Sequence, residues 1–223
     1  MENDIDYREE LNKARENIKG LERNGIGSTI DAFWEVCCGI VLVAEQNLRN
    51  QDRDWEIVSL ANEFMDIANY LGKFDHMLDK LNSAAKRMVE TIYDHPELKM
   101  KMMEARVKIL RRIEARCPHD IDLCEDLVLE IGTYSYNIYY ANRGEFDRVR
   151  QTGHLKYDPI EWTTNYESVI DEANKKIYDI LKDHPRGMGF CHAYWHVKKK
   201  VLSEDYGIEW RSPAEMNPGV LFD

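Results

Sequence analysis

Apolar side chains recur along this chain at intervals of three and four, and no run of alternating β-branched residues between turn signals interrupts them. The pattern predicts an all-α protein. A first helix opens at Asp6, three residues before Glu9 in capping-box spacing, and carries Leu11, Ala14, Ile18 and Leu21 on one face until "NGIGS" stops it. Ser28 with Asp31 is then placed to start the most apolar stretch, "IDAFWEVCCGIVLVA" at 30–44. Its polar positions 31, 35 and 39 form a single stripe, so every other side must be covered by protein, and this segment is the expected central helix. Next, Ile57, Leu60, Phe64, Ile67, Leu71, Phe74, Leu78, Leu81, Ala85, Met88 and Ile92 keep a heptad rhythm. An unbroken helix there would be roughly 60 Å long, so either the protein is elongated or Gly72 divides the run.

"DHPEL" at 94–98 restarts the chain, with Asp94 or His95 as cap and Pro96 in the first turn of a helix reaching 116. "CPHD" at 117–120 punctuates it. The following helix uses Leu123, Leu127, Ile131 and Ile138, and Gly144 ends it. Residues 143–158 lack periodicity and read as a functional or mobile loop. Asp158, Pro159 and Glu161 fit the N-cap, N1 and N3 positions of a helix running to Lys182, and a last helix extends from near Met188 to just before "YGIEW". Ser212 to Glu215 supports one more turn. The apolar Trp210, Met216, Val220, Leu221 and Phe222 predict that the C-terminal segment docks on the bundle or on a partner. The expected architecture is one all-α domain, 1–223, of about seven or eight helices packed around 30–44, with a possible subdivision near 94–96.

Composition narrows the function classes. With 43% hydrophobic and 32% charged residues the chain is no disordered polymer, and a net charge of -11 opposes bulk attraction to nucleic acid or anionic lipid. Residues 30–44 are too short and too charged to span a membrane, and the N-terminus lacks an apolar signal region, so the expected address is the cytoplasm. Five cysteines without a CxxC pair read as reduced thiols. Phosphate-loop, dinucleotide-fold and nucleophile-elbow motifs are missing, and no cofactor is expected.

The stretch richest in candidate chemistry is "GFCHAYWHVKKK" at 189–200. On a helical wheel Phe190, Cys191, Ala193, Tyr194, Trp195, Val197, Val201 and Leu202 form the buried arc, whereas His192 and His196 fall on the wet side between Lys199 and Lys200. Two histidines four apart have the spacing for a shared metal, but the glutamate of the zinc-protease helix is missing and nearby ammonium groups oppose a cation; the expectation is no metal, with His192 and His196 as the alternative pair. Arg186 and His192, with five residues between them, loosely resemble the Arg/His motif of the all-α HEPN ribonucleases, in which arginine and histidine act on an RNA phosphodiester. Arg112/His119 and Arg148/His154 share that class of spacing, and Arg186 is followed by glycine instead of the polar residue that family favours. Together Arg186, His192, His196, Lys198, Lys199 and Lys200 make a cationic surface, with Lys198, Lys199 and Lys200 as candidate anion ligands.

Helix 97–116 carries seven cations against three carboxylates, but its apolar stripe marks an amphipathic bundle helix whose cations pair with acidic neighbours. Tyr134, Tyr136, Tyr139 and Tyr140 spread around their helix and bridge core and water. The leading functional expectation is therefore a non-enzymatic interaction or scaffold protein, self-associating through the heptad surface of 57–92 or binding a protein partner. The second is a phosphodiester-directed enzyme or RNA binder using Arg186, His192, His196, Arg148 and His154.

Overall fold

The structure is a computed structural model and describes residues 6–23, 25–116 and 122–222. Among the described residues there is no strand, and eight helices have seven or more residues. The chain forms two compact units: Met1–Asp52, Glu56–Tyr93 and Leu98–Ile131 make the first, and Arg53–Trp55, Asp94–Glu97 and Gly132–Asp223 the second. The expected subdivision point at 94–96 thus lies in a short piece of the second unit.

In unit 1 the central helix is α2, Gly27–Asn50, flanked by α1 (Tyr7–Ile18), α3 (Ile57–Leu71) and α4 (Leu78–Thr91). Asp6 caps α1 as expected, but by accepting from the Arg8 N–H and not through the capping box with Glu9. α2 starts earlier than Ser28: Ile26 occupies its N-cap and makes no side-chain cap bond. At 24 residues α2 is also longer than 30–44, and by length and composition alone it could cross a membrane. Here three helices pack on it, and Val36, Cys37 and Ile40 are 0% exposed, the position of a core helix. Gly39, expected on the polar stripe, lets α1 approach, since a Cβ there would lie 3.1–3.3 Å from Leu11.

The heptad run breaks where Gly72 allows it to. Gly72 caps α3 with its N–H 2.8 Å from the Ala68 carbonyl, and a Cβ would press on that same oxygen. The turn that follows folds α4 back onto α3. Half-buried Phe74 aside, the heptad positions from Ile57 to Ile92 are at most 8% exposed. These heptad positions are packed within unit 1.

α5 spans Pro96–Arg116 and α6 Glu125–Asn142. The "CPHD" break and the partner histidine of Arg112/His119 lie outside the described residues. Within unit 1 the cations of α5 meet the α3–α4 hairpin: Arg106 donates to Asn82, Arg112 to Asp75 and Arg116 to the Asp75 carbonyl. Such exposed pairs contribute at most about 1 kcal/mol each, so the apolar stripe Leu98, Met102, Met103, Val107, Leu110 and Ile113 carries the packing.

Unit 2 is built on α7 (Thr164–Leu181) and α8 (Phe190–Tyr206), whose buried Tyr166, Ile170, Ala173, Ile177, Val201 and Leu202 pack with Ile208 and Trp210. Asp158 caps as expected, but only a 3-10 turn, Pro159–Trp162; α7 restarts at Thr163, whose hydroxyl accepts from the Tyr166 N–H. Gly207, at φ 66°, ends α8 in the left-handed conformation and reverses the chain, so the C-terminal strap returns over its own unit. Ser212 and Glu215 form the expected capping box of the single-turn α9, Pro213–Met216.

Gly39→Val forces α1 away from α2 and should cost about 1–3 kcal/mol in chemical denaturation of the full chain. An unchanged midpoint would show that α1 can retreat without loss.

Candidate functional site

Lys198 is the residue around which unit 2 concentrates its chemistry. Advancing 100° per residue from Phe190 puts it near 80°, in the middle of the apolar arc of α8. It is accordingly buried, not on the cationic surface with Lys199 and Lys200: its side chain is 5% exposed and its ammonium lies 3.2 Å from the Asp94 carboxylate, itself 11% exposed. The rings of Trp210, Tyr166 and Tyr194 stand 5.0, 5.6 and 5.8 Å from the ammonium. A buried cation persists only with a counter-charge and polar contacts in place of water, and aromatic faces supply part of that compensation. Burial pulls the lysine toward neutrality, but Asp94, then Tyr166, Tyr194 and Glu161, more than reverse this and hold its proton well above the ordinary lysine range.

Each member arrives by a different local device. Asp94 comes from the break between α4 and α5, where its sequence position also suits a helix cap. Tyr166 stands in the Thr163-capped first turn of α7, and Tyr194 one turn before Lys198 on α8. Trp210 is brought in by the reversal at Gly207.

A second carboxylate closes the box. The Trp210 indole N–H donates to Glu161 Oε1 at 2.6 Å, and beside it Asp158 accepts from the Arg211 backbone N–H at 2.7 Å and from its guanidinium at 3.1 Å. Part of the Glu161 residue reaches the surface, but its carboxyl is turned in under Trp210, which is 2% exposed. Burial, reinforced by Asp94 and Asp158 against the pull of Lys198 and the indole, pushes that carboxyl up to about 7. Burial likewise pushes the Tyr194 phenol up to about 12, so it stays neutral and donates a hydrogen bond to Asn174 Oδ1 at 3.1 Å.

Adjacent in sequence to Asp94, His95 is 2% exposed and its Nε2 lies 3.0 Å from Asp171 Oδ1, with the two atoms off the line of a hydrogen bond. Burial disfavours the imidazolium, but Asp171, with Asp94 and Glu167 behind it, outweighs burial and raises its proton affinity. Unit 2 thus contains two shielded groups, Glu161 and His95, that bind a proton more tightly than the same groups in water. Both groups therefore favour their protonated forms.

The residues singled out from sequence have other neighbours. Exposed His192 sets Nε2 3.2 Å from the Phe222 carbonyl and its ring edge-on to Trp195, while His196 is simply exposed. Arg186 lies over the Tyr178 and Phe190 rings. Lys199 pairs with Glu215 at 2.5 Å, and Lys200 reaches Glu204 at 4.0 Å. Arg148 bridges to Glu145 and sits 4.8 Å over Tyr140, and His154 is exposed in its loop. Arg150 lies 4.0 Å over Tyr136 and Arg143 5.4 Å over Tyr139, so the α6 tyrosines receive the loop arginines in turn, an arrangement their angular spread on the helix concealed. Among the described residues no group of three or more His, Cys, Asp or Glu side chains is arranged to hold a metal ion.

No protein-family model, curated protein or solved structure matches the chain.

Lys198→Met leaves the Asp94 carboxylate buried without its counter-charge and should destabilise unit 2 by about 3–5 kcal/mol, part of which Asp94→Asn in the same chain restores. A loss below about 1 kcal/mol would mean that the pair is solvated. Stability should also fall with rising pH. Glu161 binds its proton more tightly folded than unfolded, so its contribution declines as pH climbs from the ordinary carboxyl range through about 7. His95, raised by Asp171, loses its contribution as pH rises through its folded value, above the ordinary 6.5. Denaturation at about pH 5 and pH 8 should show the Glu161 part as about 2–3 kcal/mol, absent in Glu161→Gln.

Proposed function

We propose that the protein is a non-enzymatic helical interaction protein whose partner surface is the start of α6. The observation that carries this reading is the exposure of three large apolar residues close together in sequence: Leu123, Val128 and Leu129 are 45%, 40% and 66% exposed. They lie within seven residues of one another, and the neighbouring Asp122, Glu125, Asp126 and Glu130 are exposed carboxylates. An apolar patch rimmed by one sign of charge favours a partner of the opposite sign, here a helix with apolar teeth and lysine or arginine flanks.

Support also comes from how the cations are used. Arg148 and Lys199 are engaged with carboxylates, and the loop arginines rest on tyrosine faces. A cation matched within the chain offers less field to an RNA phosphate, which weakens the phosphodiester reading.

The test compares wild type with Val128→Glu/Leu129→Glu, a pair of surface changes expected to preserve helicity. A bound protein retained by wild type, lost by at least tenfold in the variant and cross-linked to residues 122–132 supports the proposal. Equal retention by both, or a cross-link elsewhere, overturns it, and measurable RNA cleavage abolished by His192→Ala would replace it with the enzymatic reading.

A further inference from the structure

The C-terminal strap is fastened to the rest of unit 2 at several polar points, among them the Ser203 hydroxyl donating to Glu209 at 2.8 Å and the Phe222 carbonyl 3.2 Å from His192 Nε2. Arg211 meets Asp158, Glu215 meets Lys199, and Asn217 exchanges two hydrogen bonds of 2.9 Å with the Lys156 backbone. Each of these is balanced, charge against charge or donor against acceptor. Glu161 differs in that it can ionise, while its hydrogen bond comes from the neutral indole of Trp210.

The groups facing the Glu161 carboxyl come from every element around it. Asp158 belongs to its own turn and Asp94 to the segment before α5; Tyr166 projects from α7, Tyr194 and Lys198 from α8, and Trp210 and Arg211 from the strap. Lys198 is matched by Asp94 at 3.2 Å, and Arg211 by Asp158 at 3.1 Å. Glu161 is therefore the odd carboxyl among three acids and two cations. Neutral, it leaves the box balanced. Ionised, it adds a negative charge with no cation of its own beneath a tryptophan that is 2% exposed. Hydration is the remaining way to stabilise that charge, and lifting Trp210 admits water.

We propose that Glu161 and Trp210 form a proton-controlled latch: the strap from Ile208 to Phe222 stays closed while Glu161 carries a proton and opens when the proton leaves. The pull on the latch falls near neutrality, because burial holds this carboxyl at about 7. Opening uncovers two features of α8, the Lys198 ammonium now beneath Trp210 and the Trp195 ring that Phe222 touches edge-on at 5.1 Å. The latch belongs to unit 2 alone and does not rest on the α6 surface.

Hydrogen exchange of the full chain, read by mass spectrometry and normalised to intrinsic rates, tests it. Between about pH 6 and pH 8.5 the strap peptides of wild type should open about tenfold more, while peptides from α2 to α4 stay unchanged. Glu161→Gln should keep the strap protected at both values. Wild-type protection that does not vary with pH, or a parallel change in wild type and Glu161→Gln, overturns the latch. If Glu161→Gln does not fold, Trp210→Phe decides: losing the indole donor should weaken strap protection more at pH 8.5 than at pH 6, and an equal loss at both counts against it.

Discussion

A lysine placed at the centre of an apolar helix face has to meet an anion inside the protein, and that requirement organises unit 2. Lys198 cannot reach water without undoing the packing of α8, so the chain supplies Asp94 and three aromatic rings. Such a pair contributes little net stability, because dehydrating both charges offsets most of their attraction. Its effect is on specificity: an alternative packing that separates the two charges leaves both buried alone. The same logic extends outward, since Trp210, which covers the ammonium, is fixed by Glu161, and the next residue, Arg211, by Asp158. In this unit a few buried acids gather donors from distant parts of the chain, Asp94 from Lys198 and Tyr166 and Asp158 from Arg211.

Unit 1 is specified differently. Its central helix is surrounded by apolar side chains, and its shape is set by two glycines, one admitting α1 at close range and the other ending α3 so that α4 can fold back. The ion pairs on its surface, Arg15 with Glu63 and Arg87 with Glu45, are partly exposed and decorate a packing already determined by volume. One half of the chain is therefore tuned by steric fit and the other by charge placement.

That difference explains what could be read from the sequence. Apolar periodicity is a direct record of steric packing, so the central helix and the buried positions of α3 and α4 were legible, whereas periodicity alone leaves open both the break at Gly72 and whether Trp210 docks on its own chain or on a partner. Charge placement leaves a weaker trace. Lys198 stands in a run of three lysines, and composition suggested a solvated patch; only its angle on the wheel separates it from Lys199 and Lys200. Asp94, Asp158 and Glu161 sit in sequences that also make good helix caps, so their local role hid the long-range one. The pairing of Arg143, Arg148 and Arg150 with α6 tyrosines depends on a loop path that no periodicity encodes.

The ion pair that anchors unit 2 joins residues 104 positions apart, and the tryptophan that covers it comes later still. During synthesis Asp94 and His95 leave the ribosome long before Lys198 exists, and both must wait in water. Closure of this unit therefore waits until Lys198 and Trp210 have emerged, and a long loop has to be drawn shut when they do. A chain cut short before Trp210 has the Lys198–Asp94 pair without its aromatic cover, so the charged centre of the unit meets water that the complete unit excludes.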